Sequence, residues 1–208
     1  MPDFEFEDQS LNPVAGFDEA GRGPWAGPVV ASAVILPRNA MPASLAAGLD
    51  DSKKIKKEKR EELFAHLRAI ADIGIGIASP TEIDEFNILQ ATMLAMQRAA
   101  DELTITPKSA LIDGNRAPNI PFAVKTIVRG DGQSLSIAAA SIVAKVTRDR
   151  IMVDLSNKYP EYGWDRNAGY GTKEHHNALL QFGVTPEHRQ TFTPIRKLLT
   201  ISSKYLTS

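Results

Sequence analysis

The chain alternates short apolar runs with longer amphipathic segments, a pattern typical of an α/β fold. Five runs predict strands, at residues 14–17, 28–36, 73–78, 110–113 and 123–128. The run at 28–36 is apolar on both faces, so we expect a strand in the middle of a sheet. Because only a short turn joins the first two runs, they should pair antiparallel, and the alternating run at 73–78 should extend that set.

Helical periodicity occupies most of the chain between and after these runs. It predicts helices at 58–70, from 134 to about 155 and at 172–182, and a helix or helix pair from 79 to about 103. Ser79, Pro80 and Glu82 form a capping-box pattern at the start of the second helix. We expect residues 1–12 to be a loose leader. Residues 13–194 should form one domain that includes a C-terminal helical segment from about 156, followed by a weakly helical tail at 195–208.

Acidic residues stand at the ends of three predicted strands. Asp18 and Glu19 follow the first strand, Asp113 the fourth and Asp131 the fifth. One such acid has an ordinary explanation, because Asp favours turns. Three strands that all end in carboxylates indicate a functional site, since sites in α/β sheets gather where strand ends and loops converge.

The turn Gly21-Arg22-Gly23 comes directly after the first pair of acids. Glycine permits positive φ and a close approach of the backbone to a ligand. The acids, the turn and the guanidinium together suit a cation and a phosphate bound side by side. An ordinary β-turn with solvated acids is the alternative that this stretch leaves open.

Composition narrows the class of protein. The 208 residues carry a net charge of −1 and no cysteine, which excludes disulfides, thiolate metal sites and a cysteine nucleophile. The acidic first ten residues do not resemble a secretory or mitochondrial leader. The longest apolar run, Val29–Leu36, is far too short to span a bilayer. We therefore expect a cytoplasmic protein without membrane contact, and a monomer.

Two segments are basic although the whole chain is nearly neutral. Residues 51–60 hold six basic and two acidic side chains, and residues 125–150 hold five and two. One face of the long predicted helix carries the donors Ser134, Ser141, Lys145 and Arg148. Such charge is common on solvated helix faces, but beside an acidic cluster it also suits a bound polyanion.

Eight motifs follow one another along the chain: DEAGRGPWAGPVVASAVIL, DSKK, NILQAT, IDGN, KTIVRGD, SIAAASIVAKVTRDR, GYGT and HRQTF. In this order and spacing, over about residues 13–194, they resemble the bacterial ribonuclease HII family. Trp25, where an aliphatic residue is more usual, and Thr191, where serine is usual, are mild departures. The resemblance implies a ribonuclease H-like fold, with a mixed sheet of three antiparallel and two parallel strands flanked by helices.

The resemblance also implies an endonuclease that hydrolyses RNA in RNA–DNA hybrids and incises duplex DNA at single embedded ribonucleotides, for ribonucleotide removal and DNA repair. Four close carboxylates cannot all stay ionised without cations. Oxygen ligands select hard ions, so we expect Mg²⁺ or Mn²⁺, with two ions about 3.5–4 Å apart when substrate is bound. The expected catalytic residues and metal ligands are Asp18, which would bridge both ions, Glu19, Asp113 and Asp131. The products would carry 5′-phosphate and 3′-hydroxyl ends.

Substrate contacts are likewise implied by the resemblance. Gly21, Arg22 and Gly23 would read the 2′-hydroxyl, and Tyr170 would stack on the next sugar. A packed core tyrosine is the alternative for Tyr170. The expected phosphate contacts are Ser52, Lys53, Lys54, Lys145 and Arg148. The candidate proton shuttles are His175, His176 and His188, with a structural role as the alternative, above all for His188.

Two other functions remain open from the sequence. One is a nuclease or integrase of the same fold with a different substrate, and the other is a catalytically silent nucleic-acid-binding module. The silent module is disfavoured, because it has no need of four acids. No motif in the tail identifies a protein partner.

Overall fold

The computed structural model describes residues 1–205 and contains one mixed five-stranded sheet between helices. The strands are β1 (Val14–Ala20), β2 (Val29–Ile35), β3 (Asp72–Ala78), β4 (Ser109–Asp113) and β5 (Ala123–Ile127). They lie in the order β3-β2-β1-β4-β5. β2 pairs antiparallel with β1 and β3, whereas β4 pairs parallel with β1 and β5. The predicted strands and the ribonuclease H-like sheet are thereby confirmed.

Helices account for most of the remaining chain. They are α1 (Glu5–Asp8), α2 (Ala43–Gly48), α3 (Lys57–Ile70), α4 (Pro80–Asp101), α5 (Leu135–Lys158), α6 (Trp164–Asn167), α7 (Lys173–Phe182) and α8 (Thr193–Tyr205). Short 3₁₀ turns lie at Arg38–Ala40, Gly130–Gly132 and Pro160–Tyr162. The capping box at Ser79 and Glu82 is present. None of the helices in the described residues is long and apolar enough to cross a membrane.

The sheet is covered on both faces, and alternate residues of β2 divide between two cores. Val29, Ala31 and Ala33 belong to one cluster, which also contains Ala95 and Met96 of α4. The other cluster joins Val34 of β2 to residues of α3 and α5. Every residue of β2 is buried, as expected for a central strand that is apolar on both faces.

Two glycines bring helices unusually close to the sheet. A Cβ on Gly16 of β1 would lie 2.1 Å from the carbonyl carbon of Ser136 in α5. A Cβ on Gly76 of β3 would lie 1.9 Å from the carbonyl oxygen of Ala95 in α4. Both helices therefore pack directly against sheet backbone, which holds the strand ends of the acidic residues firmly in place.

The first twelve residues are not the loose leader that the sequence predicts. They contain α1, and the Glu7 side chain is buried, with 2% of its surface exposed. Its Oε1 accepts hydrogen bonds from the Ser134 hydroxyl at 2.7 Å and from the Ser136 backbone N–H at 2.9 Å. A carboxylate is favoured there because the positive end of the α5 dipole lies beside it.

The C-terminal region is more ordered than the predicted tail. α8 begins at Thr193, and Ile195 is fully buried in a cluster with Trp164 and Leu179. The first residues of the predicted tail therefore belong to a helix that packs against the domain. The last three residues of the predicted tail, 206–208, lie outside the described residues.

Candidate active site

Three acidic side chains meet where β1 and β4 end. Phe17 of β1 pairs with Ile112 of β4, so Asp18 and Asp113 occupy the next positions on these neighbouring parallel strands. Glu19 follows Asp18 on β1. The parallel pairing of β1 with β4 therefore brings these acids to one edge of the sheet.

Asp131 comes from the 3₁₀ turn that joins β5 to α5. This turn is tied to β4, because the Gly130 backbone N–H donates to Asp113 Oδ1 at 2.7 Å. One carboxylate oxygen of Asp113 therefore fixes the loop that carries the next acid.

Burial and mutual repulsion disturb the ionisation of this cluster. Burial raises the pKa of Asp18 well above its ordinary value, and the neighbouring Glu19 and Asp113 raise it further. Burial also raises the pKa of Glu19, against the opposing effect of Arg22. The pKa of Asp131 is raised by burial and then by Asp113 and Asp51. Crowded carboxylates of this kind are costly unless they have a function.

The acids open onto two adjoining clefts. A cleft of about 770 Å³ is lined by Asp18 and Glu19, and a second of about 720 Å³ is lined by Asp113 and Asp131. Lys53 lines both clefts, so its side chain lies between them.

The turn at Gly21–Gly23 forms one wall of the first cleft. Gly21 has φ of 96°, a conformation that favours glycine. Arg22 Nη1 donates to Glu19 Oε1 at 3.1 Å. A Cβ on Gly23 would lie only 3.4 Å from Cε1 of Tyr170, whose side chain is 49% exposed. Tyr170 is therefore not a packed core tyrosine but faces the same cleft as the turn.

The predicted phosphate contacts differ in their accessibility. The side chains of Lys53 and Lys54 are exposed at the clefts. Lys145 lines the first cleft and forms an ion pair with Asp149 at 2.7 Å. Ser52 is buried and accepts a hydrogen bond at 2.8 Å from the Ser141 hydroxyl, so it ties this loop to α5.

Comparisons with known proteins agree with this geometry. A family model described as Ribonuclease HII matches residues 15–195. The chain belongs to the ribonuclease HII family. It is 55% identical over 199 residues to ribonuclease HII of Paramagnetospirillum magneticum, covering 96% of this chain and 99% of that protein. It is 53% identical over 192 residues to ribonuclease HII of Geobacillus kaustophilus, covering 92% of this chain and 72% of that protein.

Solved structures show the same fold. Ribonuclease H2 from Pyrococcus horikoshii OT3 has a TM-score of 0.76 at 31% identity, covering 92% of this chain and 99% of that chain. The ribonuclease HII in a complex with PCNA from Archaeoglobus fulgidus has a TM-score of 0.71 at 26% identity, covering 86% and 95%. As a member of the ribonuclease HII family, the chain is a ribonuclease H, an endonuclease that hydrolyses RNA in RNA–DNA hybrids.

Arg148 is not available for the phosphate contact that the sequence predicts. Its side chain is 1% exposed and donates to the carbonyl oxygens of Pro28, Ala168 and Ala26 at 3.0, 2.9 and 3.1 Å. Burial lowers the pKa of this guanidinium to about 10, so it stays protonated at neutral pH. In this ribonuclease HII homologue Arg148 therefore supports the cleft from beneath.

The predicted proton-shuttle role of the histidines does not fit their positions. His175 and His188 are both buried, and their Nε2 atoms lie 3.0 Å apart in an aromatic cluster. His176 is on the exposed side of α7. The residues that line the two clefts, within the described part of the chain, include no histidine.

Two arginines beside the clefts, one fully and one partly buried, were missed by sequence reasoning. Arg189 is fully buried and donates to carbonyl oxygens of the Gly21–Gly23 turn. Arg60 donates to the carbonyl oxygen of Ser52 at 2.9 Å and also to that of Ile55. Charged residues in loops and at helix starts are predicted as solvated, and only their place in the HRQTF and DSKK regions set them apart.

The four acids have the chemistry expected of ligands for a hard divalent cation. All four side chains are carboxylates, which supply the oxygen ligands that hard divalent cations prefer. Within residues 1–205, no three His, Cys, Asp or Glu side chains form a group that could hold a metal ion.

Proposed function

We propose that this ribonuclease H also incises duplex DNA at single embedded ribonucleotides. The main support for this proposal is that Tyr170 and the Gly21–Gly23 turn face the cleft that contains Asp18 and Glu19. An enzyme that recognises a single ribonucleotide whatever its base has to contact the 2′-hydroxyl, since this group distinguishes RNA from DNA at a given position. The turn that we assign to this hydroxyl lies beside the carboxylates Asp18 and Glu19.

The reaction we propose is metal-assisted hydrolysis of the phosphodiester bond. Asp18, Glu19, Asp113 and Asp131 would hold two divalent cations, Mg²⁺ or Mn²⁺. When bound, such cations activate water and stabilise the charge on the leaving oxygen, which would yield 5′-phosphate and 3′-hydroxyl ends. The protein's own part is to fix the carboxylates on strand ends and to keep the Asp131 turn in place through the Gly130–Asp113 hydrogen bond.

Recognition of the ribose is assigned to the two loops that meet at the cleft. Backbone groups of Gly21, Arg22 and Gly23 would bind the 2′-hydroxyl, because the turn approaches the cleft without bulky side chains at its two glycines. The exposed ring of Tyr170 would stack on the adjacent sugar. Lys53, Lys54 and Lys145 would contact phosphates, so binding should weaken with salt through counterion release.

A cleavage assay on three duplexes tests this proposal. The substrates are an RNA–DNA hybrid, a DNA duplex with one ribonucleotide, and the same duplex made only of DNA, each in Mg²⁺ and in Mn²⁺. We expect cutting of the first two, with 5′-phosphate ends, and none of the third. Cutting of the hybrid alone would contradict single-ribonucleotide incision, and cutting of the all-DNA duplex would contradict the 2′-hydroxyl assignment.

A further inference from the structure

The two loops that face the substrate cleft lack regular secondary structure, but both rest on one turn whose last two side chains, His188 and Arg189, are buried. This anchor turn comprises residues 185–189, between α7 and α8. Its backbone pairs with the segment that follows Gly23: the Gly27 N–H donates to the Glu187 carbonyl at 2.9 Å, and the Arg189 N–H donates to the Trp25 carbonyl at 2.8 Å.

Arg189 holds the Gly21–Gly23 turn from its buried side. Its guanidinium donates from Nη1 to the Arg22 carbonyl at 2.9 Å and from Nη2 to the Gly21 carbonyl at 2.5 Å. Nε donates to the Gly27 carbonyl at 3.0 Å. Burial lowers the pKa of Arg189 to about 9, which leaves it charged at neutral pH. A planar guanidinium is the one side chain that can satisfy several carbonyls in this fixed geometry.

His188, the preceding residue, reaches the other loop through His175. The Thr185 backbone N–H donates to His188 Nδ1 at 3.0 Å, so Nδ1 is an acceptor and Nε2 carries the hydrogen. His188 Nε2 lies 3.0 Å from His175 Nε2, which also accepts a hydrogen bond from Trp164 Nε1 at 3.2 Å. His188 must therefore donate to His175.

This order of donors determines the bond to the Tyr170 loop. Because His175 Nε2 accepts, its hydrogen is on Nδ1, which lies 3.0 Å from the Tyr170 carbonyl oxygen. The relay thus runs in one direction, from the Thr185 N–H through two neutral imidazoles to Tyr170. Both rings are fully or almost fully buried, so water does not compete for these bonds.

We propose that His188 and Arg189 are positioning residues that hold the two substrate-facing loops on one anchor turn. Arg189 fixes the Gly21–Gly23 turn, and His188, acting through His175, fixes Tyr170. The inference rests on the proposed function, in which these loops recognise the ribose and its neighbour. A shared anchor keeps the two loops in register, and a misplacement of about 1 Å is enough to reduce a rate by about 10²-fold.

Matched amide substitutions at His188 separate positioning from simple stability. The amide nitrogen of Gln lies near Nε2 of histidine, so His188→Gln keeps a donor toward His175 and loses the Thr185 bond. His188→Asn keeps an acceptor for Thr185 and loses the donor toward His175. We expect His188→Asn to lower kcat/KM for a single-ribonucleotide duplex about tenfold, and His188→Gln to stay within about threefold of the parent chain.

The same pair at His175 should give the opposite ranking. His175→Asn keeps a donor near Nδ1 for the Tyr170 carbonyl, whereas His175→Gln loses it. We therefore expect His175→Gln to be the more impaired variant. A role in stability alone gives the same ranking at both positions, or kinetic losses that follow the melting temperature, and either result would overturn the inference. If one position yields no folded protein, the other still decides, because kinetic losses there that follow the melting temperature would overturn the inference.

A double-mutant cycle with Tyr170→Ala separates failure of the inference from failure of the proposed function. If His188 acts through Tyr170, His188→Asn should cause no further loss in the Tyr170→Ala background. An equal additional loss there would overturn the relay only. Normal incision by Tyr170→Ala itself would instead refute the proposed role of Tyr170.

Amide hydrogen exchange on the full chain tests the Arg189 half of the anchor. Arg189→Lys keeps the charge but not the fork of donors. In Arg189→Lys we expect faster exchange at residues 21–23 and no change at 170–172. In His188→Asn we expect faster exchange at 170–172 and no change at 21–23. Exchange that rises equally at both loops, or at neither, would overturn the division of roles between His188 and Arg189.

Discussion

The carboxylate cluster and the ribose-facing loops lie side by side, but they are held in place by different means. Asp18 and Asp113 stand on paired strands, so backbone hydrogen bonds fix their spacing. The Gly21–Gly23 turn and Tyr170 depend on side chains far along the sequence, since Arg189 lies 168 residues beyond the Gly21 carbonyl that it binds. Three of the four acids lie on strands of the sheet, whereas the groups that we propose for ribose recognition lie in loops with a separate anchor.

This difference explains why the two regions should respond differently to substitution. A change in a carboxylate would remove a proposed metal ligand but leave the strand intact, so it should abolish turnover without loss of fold. A substitution at His188 or Arg189 should move the Gly21–Gly23 turn or Tyr170 while all four acids remain.

Replacement of Asp113 should have the largest effect on activity. Asp113→Asn keeps an oxygen that can accept from the Gly130 N–H but removes the negative charge. Because metal assistance contributes several kcal/mol to the transition state, we expect kcat in Mg²⁺ to fall by roughly 10³-fold or more. Binding to the duplex and the melting temperature should change little.

The exposed Asp101 at the end of α4 supplies the matched control for that variant. Asp101→Asn makes the same chemical change away from both clefts and should cleave normally. Undiminished cleavage by Asp113→Asn would remove this residue from the metal ligands.

Substitution of Gly21 should disturb the loop region and the fold together. A Cβ at this position would lie 2.0 Å from Arg148 Nε, and φ is 96°. We expect Gly21→Ala to lower the free energy of unfolding by about 1–3 kcal/mol and to reduce single-ribonucleotide incision. Gly132→Ala, where a Cβ meets nothing within 4 Å, should change stability by less than about 1 kcal/mol. Equal stability of the two variants in urea would contradict the close packing of this turn.

The anchor should also make stability depend on pH. Burial, and then the neighbouring His175, lowers the pKa of His188 to about 3, against 6.5 in the unfolded chain. Between these pKa values the imidazole is protonated in the unfolded chain but neutral in the folded chain. The contribution of His188 to the free energy of unfolding is therefore complete above pH 6.5 and declines as the pH falls toward 3. The stability difference between the parent chain and His188→Gln should shrink by up to about 1.4 kcal/mol per pH unit below pH 6. A difference that is constant between pH 7 and 5, measured by urea unfolding, would contradict the neutral buried imidazole.

Removal of one cleft lysine should have the smallest effect. Lys53 lines both clefts and is exposed. Lys53→Ala should weaken duplex binding and reduce the slope of log K against log salt by about one. The control is Lys158→Ala at the exposed end of α5, which should leave the slope unchanged. Equal slopes for the parent chain and Lys53→Ala would remove Lys53 from the phosphate contacts.

The sheet and its acids could be predicted from the sequence because their signals are local. β2 is a continuous apolar run, and Asp113 and Asp131 stand directly before or within turns that follow a strand. Parallel pairing of β1 with β4 then brings Asp18 to Asp113 without further information. The candidate active site is largely a consequence of strand order.

The supporting residues could not be predicted, because their partners are distant in sequence. Arg148 shares a helix face with Lys145, but its guanidinium is buried under other segments. It donates hydrogen bonds to the carbonyl oxygens of Ala26, Pro28 and Ala168. Glu7 is one of several acids in an acidic segment, and its hydroxyl partner Ser134 is 127 residues away. Periodicity identifies a buried stripe of apolar residues, but it does not identify a buried charge with partners.

The central claim is that the loops read one ribose beside the carboxylates, and a single ratio tests it most directly. The measurement is kcat/KM in Mg²⁺ for a DNA duplex with one ribonucleotide, relative to the identical duplex with a deoxyribonucleotide at that position. Because a site built to bind a hydroxyl rejects the analogue without it by about 10⁴-fold or more, we expect a ratio of at least that size. A ratio near one would contradict the account, even if the RNA–DNA hybrid were cleaved efficiently.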